Sequence, residues 1–170
     1  MPKPLALMFA DDGSIPNNPT LPLLIYRGGI DLAGTTDPED RIEQIFASHG
    51  WGEMWRNGIY PYPHYHSMIH EVMGIARGRA KVRFGGTKGK EIDLGPGDVA
   101  LLPAGTGHHC LWAGPELVVI GAYPPEGRFD LCRGGKHDHD LALLSIPQVP
   151  LPVSDPVHGK DGPLKRLWRR

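Results

Sequence analysis

Apolar residues along this chain come in short runs cut by Gly- and Pro-containing turns, with a helical stripe in one place only. From Trp51 onward the runs predict strands over 52–57, 62–66, 68–76, 79–85, 90–94, 98–102, 108–112 and 116–123. Alternation is clearest over 79–85, where Ala80, Val82 and Phe84 share one side and Arg79, Lys81 and Arg83 the other. The run 117–122 (LVVIGA) is apolar on both faces and needs cover on both. An earlier strand is expected over 21–26 (LPLLIY), ended by Gly28-Gly29. Residues 37–48 carry the helical period: Asp37 can cap, Pro38 suits the first turn, and Ile42, Ile45 and Phe46 share a face before Gly50. Beyond residue 124 the prolines disqualify central strands. An irregular, extended segment is expected over 124–170, lying across the sheets with Leu164 and Trp168 as anchors and a solvated KRLWRR tail.

Composition narrows this picture. A chain of 170 residues suits one domain, 1–170, with a core barrel at about 50–123 and an N-terminal strand and helix over 21–49. The 23 glycines and 18 prolines fit an all-β protein rich in tight turns, because hydrophobic runs separate them. A formal charge of -1 offers no electrostatic footprint for nucleic acid or anionic lipid. No apolar run approaches the roughly 20 residues that span a bilayer. Cys110 and Cys132 are too few for a disulfide scaffold, and MPKPLALMFADDGS does not read as a signal peptide, so a cytoplasmic protein with reduced thiols is expected.

Histidine spacing brings in the chemistry. His64 and His66 stand at i and i+2, which puts two imidazoles on one side of an extended chain. Imidazole suits Zn, Fe, Ni and Cu, and a carboxylate nearby widens the choice to Mn. Strict alternation would bring His70 inward and turn Glu71 away, unless the chain turns near Ser67-Met68. His109 alternates away from His108, and the His137/His139 pair lies in an acidic stretch that reads as a solvated loop. Parity also proposes a cavity wall: Tyr60 and Tyr62 with His64, Met73 and Ile75 with Glu71, and Cys110 and Trp112 with His108. Packed core is the simpler reading for Met73 and Ile75, and a small buried hydrophobe for Cys110.

Two stretches together resemble a known family. Gly58-IYPYP-His64-Y-His66-SMIH-Glu71-VMGIAR-Gly78 fits the first cupin motif, G-x5-H-x-H-x4-E-x6-G, and Gly97-DVALL-Pro103-A-Gly105-TG-His108 fits the second, G-x5-P-x-G-x2-H. The wider text HYHSMIHEVMGIARGRAKVRFGG, GDVALLPAGTGHH and DPVHGKDGPLKRLW looks like the bacterial YjlB-type cupins. One position departs: Trp112 stands where the second motif usually closes with Asn, which bears on hydrogen bonding at the barrel end and not on the ligands.

The resemblance implies an all-β double-stranded β-helix, a jelly-roll cupin barrel with one N-terminal helix and an extended C-terminal segment. It also implies one divalent transition metal (Fe, Mn, Ni or Zn) held by His64, His66, Glu71 and His108, which decides for Glu71 over His70. A homodimer is implied in the same way. Coordination positions left open by these four would admit a small organic molecule, with Tyr60 or Tyr62 orienting it. A metal-dependent enzyme of dioxygenase, isomerase or lyase type is the favoured expectation. A non-catalytic barrel that binds or senses a small molecule is the alternative.

Overall fold

The computed structural model describes residues 2–170. Its strands are β1 (Leu5–Leu7), β2 (Leu23–Tyr26), β3 (Gly52–Asn57), β4 (Glu71–Arg77), β5 (Ala80–Phe84), β6 (Lys90–Leu94), β7 (Val99–Leu102), β8 (His108–Ala113) and β9 (Val118–Tyr123). They pair antiparallel into a six-stranded sheet, β1-β2-β7-β4-β9-β3, and a three-stranded sheet, β6-β5-β8. The order brings together strands remote in sequence, and the result is the expected all-β jelly roll.

The side-chain period of two divides the apolar residues between two cores. Between the sheets lie Leu23, Ile25, Met73, Ile75, Val82, Phe84, Leu94, Ala100, Leu102, Cys110 and Val119. On the outer face of the larger sheet lie Leu24, Tyr26, Val72, Ala76, Val99, Leu101, Ile120 and Ala122. Strand β9 therefore feeds both cores, as its unbroken apolar run requires. Each fully buried Val, Leu, Ile, Met or Phe among them contributes about 1.5–3 kcal/mol relative to exposure.

Two elements cover the outer face. Helix α1 (Pro38–Ser48) places Ile42 and Phe46 against it, and Asp37 caps the helix by accepting from the Asp40 N–H at 3.0 Å. The C-terminal segment adds Val157, Leu164 and Trp168, so both expected anchors are buried. That segment is not wholly extended, however. Helix α2 (Lys136–Ser145) and the short helix α3 (Leu164–Leu167) lie within it, joined by a tight 3-10 turn at Ile146–Gln148 and irregular chain. The expected solvated loop at 136–140 is thus the first turn of α2, and His139 is buried against Asp11, 2.8 Å away.

A second correction concerns 62–66, which is not a strand. Pro61 and Pro63 remove donors that a ladder needs, and only isolated bridges form, His64 to His108 and Tyr65 to Cys132. Strand β1 was not expected from the sequence; three residues at a sheet edge carry too short a pattern to read.

Candidate metal centre

Three imidazoles converge at one end of the space between the sheets. His108 begins β8, delivered by the turn Pro103-Ala104-Gly105, in which Gly105 takes φ +93° and a Cβ would strike the Asn17 carbonyl at 2.7 Å. His64 pairs with it by two backbone hydrogen bonds of 3.1 and 2.9 Å, which brings their tilted rings to 3.9 Å between centroids. His66 follows on the same side, and one ligating atom from each of the three lies within 4.8 Å of the others.

The backbone fixes which nitrogen each ring presents. The Nδ1 atoms of His64, His66 and His108 lie 3.0, 2.5 and 3.0 Å from the carbonyl oxygens of Tyr62, Asp130 and Thr106. A carbonyl only accepts, so each Nδ1 carries the proton and donates it. The three Nε2 atoms are left with free lone pairs.

Glu71 completes the group. The chain bends at Ser67-Met68, where the Asp130 carboxylate accepts both backbone N–H groups, at 2.8 and 3.2 Å. This bend turns Glu71, the first residue of β4, inward, and its Oε1 lies 3.6 Å from His66 Nε2 and 3.4 Å from His108 Nε2. That oxygen is buried without a hydrogen-bond partner. An unpartnered buried carboxylate oxygen beside two of the three bare imidazole nitrogens makes, with the third, a donor set that a divalent cation satisfies.

Electrostatics agree with the geometry. Burial, then the neighbouring His108, holds the His64 imidazole down at about 3. Burial also works against charge on His66, but the Glu71 carboxylate and Asp130 together outweigh it and raise that group. For Glu71, burial alone would favour the acid; His66 and His108 overcome it and keep the carboxyl well below its usual range. One positive charge beside Glu71 is therefore favoured, and either a proton on His66 or a cation between the rings supplies it.

His70 points elsewhere. Its Nδ1 accepts from the Ala104 N–H at 2.9 Å and its Nε2 donates to Pro150 O at 3.1 Å, so it is a neutral core histidine under the C-terminal segment. His109 is half-buried and faces a second cavity behind His108.

A cavity of about 380 Å³ opens from the site. Tyr60 and Met73 line it, as parity proposes, and Met73 is at the same time buried core; Ile75 and Cys110 are core alone. Burial pushes the Cys110 thiol up, which keeps it protonated and inert. Trp112 is 57% exposed, because Leu111 is an extra residue in the β5–β8 ladder and the bulge turns Trp112 outward. Tyr62 stacks against Tyr60 at 5.0 Å, with the Arg133 guanidinium 3.4 Å above its ring. Trp55, Tyr123 and Phe129 also line the cavity and were not singled out in the sequence. Trp55 belongs to a bulged strand and Phe129 to a loop, where alternation carries no signal.

Known proteins place the chain. Residues 51–120 match the family described as Cupin domain. The chain is 39% identical over 160 residues to the uncharacterized protein YjlB of Bacillus subtilis (strain 168), covering 94% of this chain and 93% of that protein. Among solved structures it is similar to acireductone dioxygenase from Bacillus anthracis with a cadmium ion in its active centre. That likeness has 17% identity over 62% of this chain and 80% of that one, at a TM-score of 0.42. It is similar also to the 11S globulin from Wrightia tinctoria, with 20% identity over 46% of this chain, 21% of the globulin and a TM-score of 0.39. On its motifs, its jelly roll and its near full-length match to YjlB, the chain belongs to the cupin superfamily and to the YjlB-type cupins within it.

Proposed function

We propose that His64, His66, Glu71 and His108 hold one divalent transition metal, and that the adjoining cavity brings a small organic molecule to it. The observation that carries this reading is the donor set: three Nε2 lone pairs fixed by three Nδ1–carbonyl hydrogen bonds, and a buried carboxylate oxygen with no other partner. Iron, manganese, nickel and zinc all suit three imidazoles and one carboxylate. Such an ion supplies Lewis acidity and, if it is iron, redox chemistry toward dioxygen. The chain's own residues supply the rest. Glu71 contributes negative charge, and Tyr60 and Tyr123 offer hydroxyls at the cavity. Our reading of this arrangement is an enzyme of dioxygenase, isomerase or lyase type.

A non-catalytic binding or sensing barrel has one observation in its favour. Apart from the four proposed ligands, the titratable groups that line the cavity among the described residues are two tyrosines, Tyr60 and Tyr123, and burial pushes the Tyr123 hydroxyl up, away from proton exchange near neutral pH. Oxygen consumption or product formation by the metal-loaded protein separates the enzyme from the binder.

Elemental analysis of untagged protein tests the site itself. Wild type is expected to carry about one equivalent of metal. His66→Ala is expected to lose it while keeping the wild-type far-UV spectrum. A wild type that stays metal-free after incubation with iron, manganese, nickel and zinc contradicts the proposal.

A further inference from the structure

Beyond the four donors the cavity wall holds four aromatic rings, Trp55, Tyr60, Tyr123 and Phe129, beside Ile59 and Met73. Trp55 lies directly on Gly121, where a Cβ would fall 1.8 Å from the indole, and its Nε1–H donates to the Tyr123 hydroxyl at 3.0 Å. The indole is therefore fixed by a glycine on one side and a hydrogen bond at its edge. Phe129 meets the Tyr123 ring edge-on at 5.8 Å and rests 5.0 Å from the His66 ring. Across the opening, Tyr60 stands edge-on to His64 at 5.2 Å. Phe129 and Tyr60 are 50% and 47% exposed, so large aromatic surface faces water at the mouth until something covers it.

Charge sharpens the reading. Among the described residues no lysine or arginine lines this cavity. Arg83 and Arg133 line the second cavity instead, behind His108. Glu71 would leave a divalent ion with one net positive charge, since the three imidazoles are neutral. One anionic oxygen on the ligand balances that charge. A second negative group held inside the cavity would meet no cation, which costs several kcal/mol where water is excluded.

We propose that the cavity takes a planar, largely apolar ligand bearing one ionisable hydroxyl beside a carbonyl, a hydroxyaromatic or enolised ketone, gripped by Trp55, Tyr60 and Phe129. Ligands carrying a further carboxylate or phosphate are excluded. This inference rests on the metal site proposed above and names the ligand class for it. A volume of about 380 Å³ admits one ring or two fused rings.

Calorimetric titration of zinc-loaded protein with kojic acid and comenic acid tests it. The two share a hydroxypyranone chelating edge and differ in a hydroxymethyl group against a carboxylate. Zinc stoichiometry is measured before either is added, so a failure of metal uptake is read separately and overturns both proposals. With zinc bound, kojic acid is expected to bind at least about tenfold more tightly than comenic acid. Trp55→Ala and the surface variant Phe129→Ala are each expected to weaken kojic acid about tenfold with zinc content unchanged. Because Phe129 is half exposed, its truncation tests the grip even if Trp55→Ala fails to fold. Equal or tighter binding of comenic acid, or wild-type affinity for kojic acid in Phe129→Ala, overturns the inference.

Discussion

At the scale of single residues, the site depends on a side chain that touches no proposed ligand's free nitrogen. The Asp130 carboxylate accepts from Ser67 N–H, Met68 N–H and the Ser67 hydroxyl, while its main-chain oxygen accepts from His66 Nδ1. One residue thus sets both the bend that turns Glu71 inward and the orientation of His66. Asp130→Ala is expected to weaken zinc binding by about 10–100-fold, and Asp130→Asn by less, since its amide oxygen still accepts. Competition against a chromophoric chelator measures both; unchanged affinity in Asp130→Ala denies it a positioning role. The histidines were legible in the sequence because spacing carries them, His64 and His66 at i and i+2. Glu71 was legible only through the motif, since alternation alone favoured His70. Asp130 left no trace, because it acts from a loop more than sixty residues away, through its carboxylate on Ser67 and Met68 and its main-chain oxygen on His66.

Elements were legible wherever a face alternates between core and water. Strand β5 and helix α1 fall where period two and period 3.6 put them, α1 with its Asp37 cap and Pro38 start. The pattern fails where local chemistry overrides it: two prolines stop a strand at 62–66, and the bulge at Leu111 inverts Trp112. Helix α2 was missed because Leu141, Leu143 and Leu144 are exposed and no apolar stripe marks the buried side. Its docking is partly ionic. Asp11, assisted by Asp140, raises the His139 imidazole above its ordinary value. The sign follows: below that raised value the imidazolium–carboxylate pair is formed and holds α2 to the N-terminal segment. As pH rises through it, the contribution is lost. Asp11→Asn is expected to move the His139 titration back toward the ordinary range. Imidazole proton shifts followed against pH measure this, and an unmoved midpoint refutes the pairing.

For the whole molecule, the inner and outer faces of the larger sheet are held by different means, and a single substitution can separate them. The inner face carries the proposed metal site. The outer face is closed by the C-terminal segment, and that closure centres on Asp155, which has no solvent exposure. Its carboxylate accepts from the Tyr26 hydroxyl at 2.6 Å, from Val157 and His158 N–H at 2.8 and 3.0 Å, and from Leu164 N–H at 3.1 Å. Tyr26 belongs to β2, so these bonds join the irregular segment to the sheet it covers. Trp168 adds a bond to Pro22 O at 2.8 Å, and its ring lies 4.8 Å from His70, which itself holds Pro150. Asp155→Ala strands one hydroxyl and three backbone donors in a dry environment, each worth about 1–3 kcal/mol when unsatisfied, with partial rescue by entering water. A loss of about 3–5 kcal/mol is expected by urea denaturation, against a smaller loss for Asp155→Asn, which keeps an acceptor oxygen. Zinc stoichiometry of the protein that remains folded should match wild type, because the ring nitrogens of the proposed donors are held by Tyr62, Asp130 and Thr106 and not by the stretch around Asp155. Parallel loss of stability and zinc would mean that the two faces are coupled through β4, where Val72 packs outward beside the inward Glu71. Loss of stability alone would show that the segment closes the sheet while the site stands on the opposite face without it.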